Sequence, residues 1–144
     1  LHLRKLVARH PELDVVIDHL AKPRIVAGGA KWDGFTTWAK HMKALAAESR
    51  ACVKLSGLVT EARPGDGVPE LAPWTDALVD IFGPDRLLWG SDWPVVDLAG
   101  GYDRWRAMSL EAMGRLDHIG RAAVFGGNAE RIYLGFGRGR TPSG

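Results

Sequence analysis

Two side chains suited to hydrolytic chemistry stand at the ends of short apolar runs. His19 closes Leu13-Asp14-Val15-Val16-Ile17-Asp18, and Asp92 follows Arg86-Leu87-Leu88-Trp89-Gly90-Ser91. A third run, Ala51-Cys52-Val53-Lys54-Leu55-Ser56, carries Lys54 and Ser56. A carboxylate can take a proton from water, and an imidazole, helped by other groups or by a metal, can stabilise the oxyanion that forms when water attacks a carbonyl. Such a pair works only if both groups reach one small volume. Groups at the C-terminal ends of parallel strands do reach a common rim, so three runs that each deliver polar groups there make a candidate site.

The elements that must position these groups alternate along the chain. Leu1 to His10 has the apolar spacing of a helix already under way, with no N-cap residue before it, which suggests sequence upstream. Pro11 stops it, and Leu13–His19 reads as a strand buried on both faces. Phe35, Trp38, Met42 and Leu45 form a helical stripe within a helix expected from Asp33, its plausible N-cap, to Ser49. Ala51–Ser56 reads as the second strand, and Arg63 to Pro69 as a loop. Leu71, Trp74, Leu78 and Ile81 mark a further helix, with Pro73 tolerated in its first turn. Arg86–Gly90 reads as the third strand, Tyr102–Met113 as a helix, and Asn128 as the N-cap of a last helical turn over Ala129–Leu134. Residues 135–144 read as a flexible tail.

Alternation of this kind requires parallel strands joined by crossover helices. Side chains alternate across a strand, so an inward Asp92 takes Gly90 and Leu88 with it, an inward Lys54 takes Cys52 and Ser56, and an inward His19 takes Ile17 and Val15. Three strands cannot close an eight-stranded barrel, and the pattern alone also permits a small flavodoxin-like binding domain.

Composition narrows the class. The 144 residues are 46% hydrophobic, with 19 basic and 17 acidic residues and a formal net charge of +2. Balanced charge gives no electrostatic reason to expect nucleic acid or an anionic membrane as partner; a small-molecule substrate is the expectation. The single cysteine, Cys52, excludes a disulfide framework within the chain and reads as a buried, inert thiol. With no membrane-span or signal-peptide pattern, a cytoplasmic setting is the simplest expectation. The other histidines, His10, His41 and His118, fall on helices or their ends and read as surface residues. Glu61 and Arg63 read as loop charges, and Gly28-Gly29 and Gly126-Gly127 lack the pattern of a phosphate-cradling loop.

The segments Val16-Ile17-Asp18-His19-Leu20-Ala21-Lys22-Pro23, Val53-Lys54-Leu55-Ser56-Gly57-Leu58 and Asp85-Arg86-Leu87-Leu88-Trp89-Gly90-Ser91-Asp92-Trp93-Pro94 together carry a resemblance. They are similar to the late strands of the amidohydrolase-2 family, TIM-barrel hydrolases of metal-dependent type that include sugar lactonases and pyrone-dicarboxylate lactonase. Gly127-Asn128-Ala129-Glu130-Arg131-Ile132-Tyr133 resembles that family's closing helix. The likeness implies an α/β fold, with residues 1–134 as strands six to eight of a TIM (β/α)8 barrel. It implies a lactone-cleaving hydrolase in which Asp92 is the general base for water, a metal ligand, or both. His19 would polarise the carbonyl or bind metal. Around the same rim, Lys54, Ser56, Trp93 and Lys22 are candidate substrate contacts, and an inward Lys54 equally suits pairing with a buried carboxylate. The family's His-x-His pair after the first strand has no counterpart here. His19 and Asp92 alone are too few ligands for tight zinc binding, so the sequence admits a divalent metal without requiring one. A zinc-dependent decarboxylase of the same barrel superfamily is the second enzymatic reading, and the isolated chain is expected to be inactive.

Overall fold

A computed structural model of the chain describes residues 2–25 and 33–135. Trp32, the Gly28-Gly29 pair and residues 136–144 of the expected tail lie outside the described residues. Helix α1 (His2–Arg9) precedes strand β1 (Val16–Ile17); α2 (Asp33–Glu48) precedes β2 (Cys52–Leu55); a short α3 (Leu58–Glu61) and α4 (Val68–Phe82) precede β3 (Leu87–Trp89). Helix α5 (Gly101–Ala112) and α6 (His118–Ala122) follow, and the chain continues helically, with π-type turns over Ala123–Gly127 and Glu130–Leu134.

The three strands form one parallel sheet in the order β1-β2-β3, with Val16 opposite Cys52, Val53 opposite Leu87 and Leu55 opposite Trp89. Strand order that follows chain order has no reversal, whereas a flavodoxin-like sheet reverses at its switch point. Helices α1, α2, α4 and α5 gather on one face. Ile17, Val53, Leu55, Leu87 and Trp89 pack there with Val7 of α1, Met42 and Leu45 of α2, Trp74 and Leu78 of α4 and Trp105 of α5. A sequential parallel sheet backed on one face by these helices is consistent with a segment of a barrel, while the last helical turns reach the other face, where Tyr133 lies against Lys54.

Particular residues fix the helix layer. Trp38 and Trp74 meet edge to face at 5.1 Å, and Phe35 meets Trp74 at 4.9 Å, so the stripe on α2 docks on α4 through aromatic contacts. Arg86 donates to the carbonyls of Phe82, Ala46 and Ser49, satisfying the C-terminal ends of two helices at once. Arg4 on α1 pairs with Glu48 on α2.

The structure corrects several boundaries. Pro73 is not in a first turn: α4 begins at Val68, with Pro69 near its start, and Pro73 lies inside it. The N–H that Pro73 lacks would have bonded the carbonyl of Pro69, one turn back, so the cost falls near the helix start. Asn128 is not a cap. Its backbone is helical, and its buried Nδ2 donates to the carbonyls of Pro84 and Leu87, both at 2.7 Å, tying the last helix to β3. The true N-cap is Asp117, whose carboxylate accepts from the N–H of Gly120 at 2.7 Å. None of the described helices is long and apolar enough to cross a membrane.

Candidate active site

The side-chain alternation expected for β2 and β3 is observed. Val53, Leu55, Leu87 and Trp89 face the helices, while Cys52, Lys54 and Leu88 share the other face. For β1 the expectation was wrong. Ile17 belongs to the helix-facing core, so Val16 and Asp18 share the inner face with Lys54, and Lys54 Nζ lies 2.8 Å from Asp18 Oδ1. His19 reaches the rim by a different device: the chain leaves β1 in a left-handed turn, with φ of 52° at His19, 54° at Leu20, 61° at Ala21 and 57° at Lys22.

Four consecutive non-glycine residues in this region are costly, about 1–2 kcal/mol each. The surroundings hold them there. Leu20 is fully buried, the indole Nε1 of Trp38 donates to its carbonyl at 2.8 Å, and the N–H of Lys22 donates to the carbonyl of His19 at 2.6 Å. Lys22 Nζ pairs with Glu61 Oε1 of α3 at 3.0 Å. Among the described residues, the remaining non-glycine residue with positive φ is Asp92, at 61°. Strained backbone of this kind collects at functional sites, where the fold over-determines it.

The two strained ends converge. His19 Nε2 lies 3.6 Å from Asp92 Oδ1, with side chains 32% and 14% exposed. That spacing is too long for a direct hydrogen bond and short enough for both groups to reach one water. It also suits two donors on one ion, since ligand atoms on a tetrahedral zinc sit roughly 3.4 Å apart. Among the described residues, no group of three or more His, Cys, Asp or Glu side chains is arranged to hold a metal ion. By themselves His19 and Asp92 supply two donors, fewer than a zinc site takes.

The other side chains singled out in the sequence fall around this pair. Ser56 is 2% exposed, with Oγ 2.9 Å from His19 Nδ1. Trp93, next to Asp92, is 71% exposed. Lys54 sits on the inner face, below the end of β2, with its ammonium over the ring of Tyr133, and its hydrogen bond to Asp18 pushes its pKa up. Arg63 pairs with Asp66 in the loop after α3. A cleft of about 450 Å³ opens between that loop and the one after β3, lined in part by Thr60, Arg63, Leu98 and Arg104; His19 and Asp92 are not in its wall. The approach of His19 and Asp92 marks the candidate site rather than this hollow, since the cleft's arginines are held by Asp66 and by backbone carbonyls. Cys52 is partly buried, and burial pushes its thiol pKa up, which does not favour a nucleophile.

Sequence reasoning missed the left-handed turn and the Trp38 and Glu61 contacts that hold it. The one available signal was Pro23, because the residue before a proline avoids the right-handed helical region.

Comparison with known proteins identifies the family. The family model for amidohydrolases matches residues 1–134. The chain is 44% identical over 139 residues to an L-fucono-1,5-lactonase of Burkholderia ambifaria, covering 92% of this chain and 46% of that protein. It is 34% identical over 83 residues to a 4-sulfomuconolactone hydrolase of Rhizobium radiobacter, covering 58% of this chain and 26% of that protein. A crystal structure of an amidohydrolase from Burkholderia multivorans with bound zinc superposes with a TM-score of 0.82 at 36% identity, over 92% of this chain and 48% of that one. The chain thus spans about half the length of the two Burkholderia relatives. The family model over residues 1–134, the sequence identity and the matching fold together show that the chain belongs to the amidohydrolase family.

Proposed function

We propose that the chain forms strands six to eight, and the adjoining active-site rim, of an eight-stranded barrel hydrolase that opens lactones of sugar-acid type. The observation that carries this reading is the 3.6 Å approach of His19 Nε2 and Asp92 Oδ1 from two separate strand ends, each delivered by left-handed backbone. The similarity to an L-fucono-1,5-lactonase over more than nine-tenths of the chain supports the substrate class.

In this reading Asp92 takes the proton from a water held between the two side chains, and the resulting nucleophile attacks the lactone carbonyl. The imidazole of His19 faces the same volume through Nε2 and stabilises the developing oxyanion. The ring C–O bond then breaks, and the proton held on Asp92 passes to the leaving alkoxide. If zinc is bound, His19 and Asp92 hold it together with donors from the rest of the barrel, and it supplies Lewis acidity at the carbonyl or the water. The sheet order β1-β2-β3 leaves the outer edges of β1 and β3 unpaired among the described residues, and the missing strands would cover them.

The test is hydrolysis of L-fucono-1,5-lactone by the protein expressed from its complete reading frame, followed as acid release. The parent should be active, and His19→Ala and Asp92→Asn should each lose about 10²–10⁴-fold in kcat. Two variants with parental rates would remove the reading.

A further inference from the structure

An imidazole delivered to a rim is only half positioned. Rotation about its Cβ–Cγ bond has two broad wells half a turn apart, and the wrong one exchanges Nε2 for a carbon. His19 therefore needs something that breaks this ambiguity, and the backbone turn cannot supply it. Ser56 can. Its Oγ lies 2.9 Å from Nδ1 of His19, which leaves Nε2 as the nitrogen turned toward Asp92. A hydroxyl both donates and accepts, so it holds Nδ1 in either neutral tautomer.

The space around this contact is also specified. A Cβ on Gly57 would fall 2.8 Å from His19 Nδ1, and Gly57 itself has φ of +70°. A Cβ on Gly90, at the end of β3, would fall 3.4 Å from Ser56 Cβ. Ser56 and the ring are thus bordered by two glycines, one beside each, and at 2% exposure Ser56 is poorly placed to touch substrate.

We propose that Ser56 is a positioning residue, which orients the His19 ring so that Nε2 rather than carbon faces Asp92, within a slot kept open by Gly57 and Gly90. The inference rests on the His19–Asp92 reading above.

Ser56→Ala in the protein from the complete reading frame tests it, with Ser109→Ala as control. Ser109 is an equally buried hydroxyl on the helix layer, where it accepts from Trp89 Nε1 and donates to the carbonyl of Trp105. Ser56→Ala should lower kcat about 10–100-fold, the range seen when a ligand's orienting partner is lost, with KM within about twofold. The ¹⁵N resonances of the His19 ring should move in Ser56→Ala and stay in place in Ser109→Ala. Parental kcat and unmoved ring resonances in Ser56→Ala overturn the proposal, as does an equal kcat loss in Ser109→Ala. An inactive His19→Ala beside a fully active Ser56→Ala overturns the positioning role alone. An active His19→Ala overturns the site reading with it.

Discussion

The two faces of the sheet obey different rules. The helix-facing side is apolar: Ile17, Val53, Leu55, Leu87 and Trp89 meet a single continuous core. The other side mixes Val16, Cys52 and Leu88 with the Lys54–Asp18 ion pair, and its upper end carries Ser56 beneath the His19–Asp92 rim. Packing on the first face stabilises the segment; backbone strain and charge on the second are tolerated because the first is so regular. With the proposed site at the rim, stability and chemistry are divided between the two faces of one sheet.

That division can be tested by substitutions that should affect one face and spare the other. The largest effect is expected from Asp92→Asn. Asparagine tolerates the left-handed backbone of this position, so the melting temperature should hold while kcat/KM for lactone falls about 10³-fold. A parallel fall in melting temperature would show that the carboxylate also supports the fold and blur the comparison. Next is Leu78→Ala on the fully buried face of α4, expected to cost roughly 2–5 kcal/mol in urea unfolding while activity per folded molecule is retained. A selective loss of kcat there would mean that the core reaches the rim more directly than the sheet suggests.

Trp38→Phe bridges the two faces. It keeps a ring in the α2–α4 contact but removes the donor to the Leu20 carbonyl, so it should cost about 1 kcal/mol and lower kcat severalfold by loosening the turn that carries His19. Full kcat would sever the link between α2 and the site. The smallest effect is the pH response of Lys54. Its pKa is raised above the usual lysine value by the hydrogen bond to Asp18, so the stability it contributes is complete below about pH 10.5 and is lost as pH climbs through the higher folded value. Lys54→Met should flatten this alkaline slope in pH-dependent unfolding. An unchanged slope would show that the pair, partly open to solvent, contributes nothing measurable.

Much of this was legible in the sequence, for reasons that can be assigned. Lys54 and Leu88 fell on the inner face as expected, because β2 and β3 are regular over the residues concerned and period-two alternation holds. The same rule failed at His19, since the chain abandons strand geometry at Asp18 and turns left-handed without a glycine to announce it. Trp38 read as a core aromatic, and its ring is one; its second task, the hydrogen bond to Leu20, depends on a carbonyl 18 residues away that no periodicity reveals. Asn128 looked like a cap because asparagine usually is one, and only the fold shows that β3 and the turn before it present two carbonyls for its amide.

The left-handed turn has a consequence for thermal tolerance. Ala21, exposed and at φ of 61°, is a position where glycine would relieve steric conflict at no cost to packing. Such a change frees the very segment whose rigidity aims an imidazole, so thermal tolerance and turnover would pull in opposite directions at a single residue.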